Sequence, residues 1–219
     1  MDKKNKTFDD VLSEAQKLGY AESNPSADLN GDDVGAKLKI LSSLCFNSFI
    51  NHNIHIEWIN GINKIDIDNA NTLGYKIKLL GVSEIIENKV YQRVHSAFIK
   101  KSSYIAGIDG VLNAVIVDGT PVGQSIIQGE GAGPEATTSA LVSDISSILR
   151  GNIKFPFSIS DRERKQLNYI KIDERFFSAY LRLDVLDKPG ILSNITNIFS
   201  KNKVSIKRII QTPNKSKKL

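Results

Sequence analysis

Apolar residues in the first part of the chain recur at the 3.6-residue period of an α-helix. A first set, closed by a glycine, predicts a helix over residues 8–18: Phe8, Val11, Leu12, Ala15 and Leu18. Residues 21–31 are rich in Asn, Asp and Ser and contain a proline and a glycine, so they predict a loop. A second helix is predicted to start at Asp32 or Asp33, either of which can cap it. Its expected buried stripe is Val34, Leu38, Leu41 and Cys45.

Beyond residue 50 the pattern changes to the alternation that is typical of strands. Five strands are predicted, over residues 54–59, 75–86, 90–94, 111–117 and 122–128. A short helix capped by Asp66 or Asp68 lies between the first two strands. Residues 87–89 form a turn between the second and third strands, and Asp118-Gly119 is a strong hairpin signal between the last two. The sequence therefore mixes helices with a meander of strands.

A change in composition divides the chain into three parts. Residues 1–150 carry the pattern described above, and residues 151–174 are charged and interrupted by proline, which predicts a linker. Residues 175–219 begin a new unit with a strand, a turn at 187–190, an amphipathic helix and a second strand at 204–210. The apolar face of that helix comprises Ile191, Leu192, Ile195 and Ile198.

Charged residues crowd the loop that leads into the second helix. Asp33 and Lys37 lie one turn apart on the same side of this helix, and Glu22 and Asp28 precede them in the loop. A lysine beside apolar residues has its pKa lowered by desolvation and raised by a nearby carboxylate, which suits a general acid or base. An exposed ion pair one turn apart is the commoner explanation of such residues, and residue types alone favour it.

A run of small residues precedes the helix that opens near Pro134. It comprises Gly129, Gly131, Ala132 and Gly133. Glycines allow a backbone to approach a ligand closely, and a helix start directs free N–H groups at whatever lies before it. A tight connection between a strand and a helix would explain the same residues, because a single glycine-rich loop is weak evidence for a binding site.

No metal site is expected. The single cysteine, Cys45, falls on the predicted buried stripe, so it predicts a small core residue in a reducing compartment. The three histidines, His52, His55 and His95, border predicted strands without the spacing of a zinc site, which favours structural roles. No apolar run reaches the roughly 18 to 20 residues that cross a bilayer.

Residues 18–41, LGYAESNPSADLNGDDVGAKLKIL, resemble the signature of the homoserine dehydrogenase family. The resemblance continues through IDIDNANTLGYKIKLLGV at 65–82, Asn-Ala-Val at 113–115 and the glycine-rich run. One departure is Asn24, which stands where the family usually has Asp before the proline. The resemblance implies an α+β fold with a mixed or antiparallel sheet covered by helices.

The resemblance also implies roles for residues that the pattern had singled out. Lys37 would transfer a proton to or from the reacting oxygen, while Glu22, Asp28 and Asp33 would bind and position the substrate. The glycine-rich run, Gly129, Gly131, Ala132 and Gly133, would contact an NAD(P) cofactor. The implied reaction is the reversible reduction of L-aspartate 4-semialdehyde to L-homoserine, a step in threonine, methionine and isoleucine biosynthesis.

The sequence lacks the pattern of a dinucleotide-binding unit and of the second half of an ACT domain. No strand, glycine-rich turn and helix followed by an acidic residue forms a dinucleotide-binding unit. The chain is therefore expected to be a fragment that lacks the cofactor-binding domain, and to be inactive alone. Residues 175–219 resemble the first half of a ferredoxin-like ACT domain, whose Asp-x-Pro-Gly-x-Leu turn is matched by Asp187, Pro189, Gly190 and Leu192. Asp187, Pro189 and Gly190 are expected to contact an amino-acid effector.

Partners and location follow from the resemblance and the composition. A homodimer in the cytoplasm is implied, acting on a small molecule without membrane or nucleic acid. The formal net charge of +5, concentrated near the C-terminus, raises a nucleic-acid partner as an alternative, but no aromatic residues are interleaved for stacking. A stand-alone amino-acid-binding module and a non-enzymatic interaction protein also remain open.

Overall fold

The computed structural model describes residues 8–19, 30–57, 59–131 and 133–212. They belong to two compact units, Met1–Phe177 and Ser178–Leu219. Within the described part of the chain, no helix has both the length and the apolar content that crossing a bilayer requires.

Three helices precede or interrupt the sheet of the first unit. Helix α1 spans Phe8–Lys17 and α2 spans Asp32–Phe46. The predicted cap of α2 is wrong, because Gly31 occupies that position with a left-handed φ of 79°, and Asp32 and Asp33 form the first turn. Carboxylates in a first turn are still stabilised by the positive end of the helix dipole.

Helix α3 spans Lys64–Thr72 and begins with a reciprocal cap. The Asn63 side chain accepts hydrogen bonds from the backbone N–H groups of Ile65 and Asp66, and Asp66 Oδ2 accepts from the Asn63 N–H at 2.9 Å. Asp66 therefore contributes to the capping box, but the cap itself is Asn63. The expectation of a cap at Asp66 or Asp68 is thus wrong by one turn.

The main sheet is mixed, as expected. Strand β2 (Tyr75–Ile86) pairs antiparallel with β3 (Lys89–Lys100) through a two-residue turn in which Glu87 and Asn88 have positive φ. Such a turn matches the twist of a hairpin. Strand β1 (His55–Ile56) and a later strand pair parallel with β3, so that β3 is central.

Strand pairing decides which side chains of the sheet meet α2. Gly81 pairs with Val94 and Ser83 pairs with Gln92, so these four residues share one face. A Cβ built on Gly81 would lie 3.1 Å from Val34 Cγ1 of α2, which shows how closely the helix approaches the sheet. Val90 and Val94 are fully buried there. The core of the first unit therefore lies between α2 and the β2–β3 pair.

Strands β4 (Leu112–Gly119) and β5 (Gly123–Glu130) form a separate two-stranded hairpin. Gly119 pairs with Gly123, so the turn is Thr120-Pro121-Val122, and the predicted turn at Asp118-Gly119 is wrong. Proline cannot donate to a ladder, so the turn forms where the proline stands. Helix α4 (Pro134–Leu149) follows directly, close to its predicted start.

Residues 151–174, which were predicted to be a linker, contribute to the sheet. Strand β6 (Asn168–Ile170) pairs with β3, and the Phe49 N–H donates to the Lys165 carbonyl at 2.9 Å. The Arg164 guanidinium lies over the rings of Phe49 and Phe157, at 5.1 and 4.4 Å from their centroids. Charged composition predicted a solvated segment, but arginine also packs on aromatic faces.

The second unit is built around one helix, α5 (Ile191–Lys201), which starts after Gly190 with a φ of 87°. The two strands that were predicted to flank it have no ladder partner in the described residues of the unit, so neither is assigned as a strand. A strand requires a hydrogen-bonded neighbour, and alternation of apolar residues alone does not supply one. Many of its apolar side chains are exposed, including Leu181 and Ile209.

Two histidines of the first unit make its stability depend on pH. Burial lowers the pKa of His52, Lys39 lowers it further, and the neighbouring Gln92 side chain partly opposes them. Burial also lowers the pKa of His95, as does Arg93, whereas Glu57 opposes them. The unfolded chain takes up protons near pH 6.5 and the folded chain only at lower pH, so acidification favours unfolding.

We therefore expect full stability above about pH 6.5, and a decline as the pH falls from there through the lowered pKa values. Urea unfolding midpoints measured across this range will show the decline, and His95→Gln will reduce its slope. If the unfolding midpoint of His95→Gln falls with pH as steeply as that of the unsubstituted chain, His95 does not cause the pH dependence. His55 is exposed but also helps to lower the pKa of His95, so His55→Gln should reduce the slope less than His95→Gln does.

Candidate functional site

Helix α2 brings Asp33 and Lys37 together at its first turns. Lys37 Nζ donates a hydrogen bond to Asp33 Oδ2 at 2.7 Å, and the two side chains are 59% and 40% exposed. An ion pair at this exposure contributes about 0–1 kcal/mol to stability. The pair is therefore too exposed to be explained as a support of the fold, and its lysine is open to a ligand.

The pair lies on the side of α2 that faces away from the sheet. Gly35, Leu38 and Ser42 form the buried side, and Lys37 is about 200° around the helix from Gly35. Of the predicted buried stripe only Leu38 is buried, and Cys45 is exposed, so the prediction of a core cysteine is wrong. The stripe was predicted from large apolar residues, whereas the close contact with the sheet favours the small ones.

Exposed apolar residues accompany the ion pair along α2. Ile40 is 52% exposed and Leu44 is 41% exposed, and both follow Lys37 at helical spacing on the same side. The lysine thus lies at the edge of an apolar surface instead of within a core. Glu22 and Asp28, the other predicted substrate residues, lie outside the described residues.

The glycine-rich run links β5 to α4. Gly129 lies in β5, the Gly131 N–H donates to the Val111 carbonyl at 3.1 Å, and Gly133 precedes α4 with a φ of 107°. Ala132 lies outside the described residues. A Cβ on Gly131 would lie 1.5 Å from Asn113 Nδ2, so a side chain there would displace Asn113.

The surroundings of this run fit a cofactor that binds to backbone. Among the described residues, and apart from the chain neighbours, no heavy atom lies within 4 Å of the Cβ positions of Gly129 and Gly133, which leaves room for a ligand to approach. The first N–H groups of α4 have no partner within their own helix and can donate to an amide or an anion. A shallow, open depression of about 480 Å³ lies on α4 itself, lined by Pro134, Glu135, Thr138, Ser139 and Val142.

A cluster that the sequence reasoning missed lies on β2. Lys76 Nζ donates to the Ala106 carbonyl at 2.8 Å and lies 3.2 Å from Asp109 Oδ2, while Lys78 Nζ donates to Asp109 Oδ1 at 2.8 Å and to the Ile108 carbonyl. The Lys-x-Lys spacing places both ammonium groups on one face of the strand. That spacing was the available signal. The cluster fixes the connection from β3 to the β4–β5 hairpin.

We expect Asp109→Asn to lower the free energy of unfolding by about 1–3 kcal/mol, because two part-buried ammonium groups would lose their shared carboxylate. Urea denaturation of the purified chain measures the change. The matched control is Asp118→Asn, which neutralises an exposed carboxylate on β4. Equal effects of the two substitutions would show that the cluster does not stabilise the connection.

The turn at Asp187, Pro189 and Gly190 belongs to the second unit. All three residues are exposed, and the Gly190 carbonyl accepts from the Asn194 N–H at 3.0 Å as α5 begins. Among the described residues no group of His, Cys, Asp and Glu side chains is arranged to hold a metal ion. Of the predicted site residues, the structure thus joins Asp33 to Lys37, and no described hydrogen bond or ion pair joins α2 to the glycine-rich run.

Comparison with known proteins gives matches along most of the chain. Residues 1–146 match the family model of homoserine dehydrogenase, and residues 179–217 match that of the ACT domain. The homoserine dehydrogenase of Neisseria gonorrhoeae is 38% identical over 218 residues, which cover 96% of this chain and 50% of that protein. That of Pseudomonas aeruginosa is 36% identical over 223 residues, with the same shares covered.

Solved structures agree with these relatives. A homoserine dehydrogenase from Thiobacillus denitrificans superposes with a TM-score of 0.74 at 35% identity, covering 96% of this chain and 50% of that one. The enzyme from S. aureus at pH 7.5 gives a TM-score of 0.66 at 31% identity, covering 95% and 49%. The chain spans about half the length of the relatives it matches. In sequence and in fold, the chain belongs to the homoserine dehydrogenase family.

Proposed function

We propose that this chain carries the substrate-binding and proton-transfer part of a homoserine dehydrogenase. The reaction is the reversible, NAD(P)H-dependent reduction of L-aspartate 4-semialdehyde to L-homoserine. The observation that carries the proposal is the exposed Asp33–Lys37 pair, 2.7 Å apart, within the segment that matches the family. Its place in residues 18–41, the stretch that resembles the family's signature, distinguishes it from other exposed pairs of the same spacing.

Lys37 is the proposed acid in the direction of reduction. Its ammonium group donates to Asp33, and a substrate oxygen within hydrogen-bond reach could receive a proton from it as negative charge develops there. In the direction of oxidation the neutral amine takes that proton back. Asp33 holds the amine in place through the 2.7 Å hydrogen bond, so its carboxylate orients the lysine as well as the substrate.

Glu22 is proposed to bind the substrate's ammonium group, because carboxylates are the side chains that neutralise a bound cation. Asp28, which like Glu22 precedes α2 in the sequence, is proposed to orient the substrate and the lysine together with Asp33. With Asp33 they place three acidic groups near one lysine in sequence. This composition favours an amino-acid substrate over a purely anionic one.

The glycine-rich run is the proposed contact with NAD(P). Bound nicotinamide would supply or accept the hydride of the reaction. Gly129, Gly131, Ala132 and Gly133 would present backbone instead of side chains to it, and the open space beside Gly129 and Gly133 supports this role. The greater part of the cofactor site would come from a segment beyond this chain, and that segment decides between NAD and NADP.

The second unit is the proposed regulatory part. Its match to the ACT domain, at residues 179–217, supports an amino-acid effector bound near Asp187, Pro189 and Gly190. The same match favours a second function, amino-acid binding without catalysis. Calorimetry with aspartate-family amino acids tests the binding, which Asp187→Ala should abolish. Such binding together with a folded fusion that has no dehydrogenase activity would favour this second function. We also propose that the protein is a homodimer located in the cytoplasm.

A fusion protein tests the catalytic proposal. This chain would replace its aligned segment in the Neisseria gonorrhoeae homoserine dehydrogenase, and oxidation of L-homoserine would be followed by absorbance of the reduced nicotinamide. Activity that requires Lys37 supports the proposal. A folded but inactive fusion, together with no L-homoserine-induced NMR shifts near Lys37 in the chain alone, would overturn it.

A further inference from the structure

A buried hydrogen bond joins α2 to the central strand of the sheet. Gln92 Nε2 donates to Ser42 Oγ at 2.7 Å, and the two residues are only 5% and 2% exposed. In the part of the chain that the structure describes, it is the one side-chain hydrogen bond between α2 and the sheet. Neither residue belongs to the proposed substrate or cofactor contacts.

Most other contacts of this interface are apolar, and small residues allow the close approach. Cβ atoms built on Gly31 and Gly35 would lie 2.9 and 3.1 Å from Ile56 side-chain atoms. On β2, a Cβ built on Gly81 would likewise lie close to the side chains of Val34 and Leu38 of α2. Apolar contacts are not directional, so they limit the position of the helix along its own axis less sharply than a hydrogen bond does.

A hydrogen bond does fix that position, because its strength falls steeply with distance and angle. If α2 moved along its axis, the buried Ser42 and Gln92 groups would lose their partners, at a cost of about 1–3 kcal/mol for each buried group. Gln92 is also firmly held. Its strand lies in the middle of the sheet, its backbone pairs with Ser83, and His52 beside it stacks on Tyr169 at 4.8 Å.

We infer that Gln92 and Ser42 are positioning residues for the proton transfer by Lys37, an inference that rests on the proposed function. Ser42 follows Lys37 by five residues, about 7.5 Å along the helix axis. Because a helix of this length moves as a rigid rod, its position at Ser42 sets the position of the Asp33–Lys37 pair. Misplacement of a catalytic group by about 1 Å costs up to about a hundredfold in rate.

The test compares Gln92→Met and Ser42→Ala in the active fusion. Both remove the hydrogen bond with little change of volume, and we expect kcat for homoserine to fall about ten- to a hundredfold with KM changed by less than about twofold. The double variant should have a kcat no lower than that of the more impaired single variant, because both substitutions remove the same contact. The pH profile of kcat will shift, which a loss of stability alone does not cause.

Ser83→Ala is the matched control. Ser83 faces α2 beside Gln92, and its buried hydroxyl has no hydrogen-bond partner among the described residues, so its removal leaves α2 in place. Equal losses of kcat in Gln92→Met and Ser83→Ala would overturn the inference. So would a fall in melting temperature with unchanged kcat and pH profile at temperatures where the variants are folded.

A second measurement separates this inference from the proposed function. NMR signals of the Lys37 side chain in the chain alone report the Asp33–Lys37 geometry without any turnover. We expect them to shift in Gln92→Met and not in Ser83→Ala. If they shift while the unsubstituted fusion is inactive, the positioning holds and the proposed function fails. If they do not shift, the positioning is wrong whatever the fusion does.

Discussion

Replacing Lys37 with alanine in the active fusion is expected to lower the turnover of L-homoserine by about two to four orders of magnitude. The substitution removes the one group that we assign to proton transfer. It removes little else, because the Asp33–Lys37 pair is exposed and contributes about 0–1 kcal/mol to folding. The initial rate at saturating substrate measures the loss, and thermal unfolding of the same protein should stay nearly unchanged.

The chain offers a closely matched control for this substitution. Lys64 and Asp68 form another exposed pair four residues apart, on α3, with side chains that are 63% and 60% exposed. Lys64→Ala therefore removes the same kind of pair and should leave turnover within about twofold of the starting protein. Comparable rates in Lys37→Ala and Lys64→Ala would assign Lys37 to the solvated surface.

Local pattern was sufficient where one rule decided the structure. Strand β2 begins and ends where alternation and the turn at 87–89 predicted, and α4 begins at the predicted proline. In both cases the residues that start or stop the element are adjacent to it in the sequence. The mixed sheet was anticipated through the resemblance to a family, whose motifs extend over several elements.

The same reasoning was insufficient where contacts distant in sequence decided. The face of α2 that meets the sheet is set by two residues on other elements: Gly81 allows close approach, and Gln92 donates a hydrogen bond to Ser42. Reading large apolar residues as the buried face therefore placed Cys45 in the core, whereas it is exposed. Asp109 could not be predicted as the partner of Lys76 and Lys78, because it lies far from both in the sequence.

Within the candidate site, the sequence could predict the geometry of one contact, the Asp33–Lys37 pair. Asp33 and Lys37 had to be neighbours once the helix was recognised, because residues four apart share a face. The solvent exposure of the pair could not be predicted, since it depends on which side of α2 the sheet covers. The structure places the pair on the exposed side, so any apolar environment for the lysine must come from another part of the protein or from bound ligands.

The glycine-rich run gives the second large effect. Gly131→Ala in the fusion is expected to raise KM for the oxidised cofactor, measured in the oxidation of L-homoserine, about ten- to a hundredfold. The added Cβ would lie 1.5 Å from Asn113 Nδ2 and 2.6 Å from Asn113 Cγ, so either that side chain or the loop must move. Forcing extra atoms into an occupied space costs about 1–3 kcal/mol, which corresponds to such a change in affinity if the loop moves.

Two further variants decide whether this clash is the cause. Gly119→Ala adds a methyl group to the same hairpin at a point where the described residues, chain neighbours aside, place no heavy atom within 4 Å, so KM should not change. Adding Asn113→Ala to Gly131→Ala removes the side chain that the methyl group meets, and we expect most of the affinity to return. An unchanged KM in Gly131→Ala would contradict the prediction and show that the exposed Asn113 side chain, not the loop, moves to admit the methyl group. A raised KM that the double variant fails to rescue would indicate that the methyl group meets the cofactor itself.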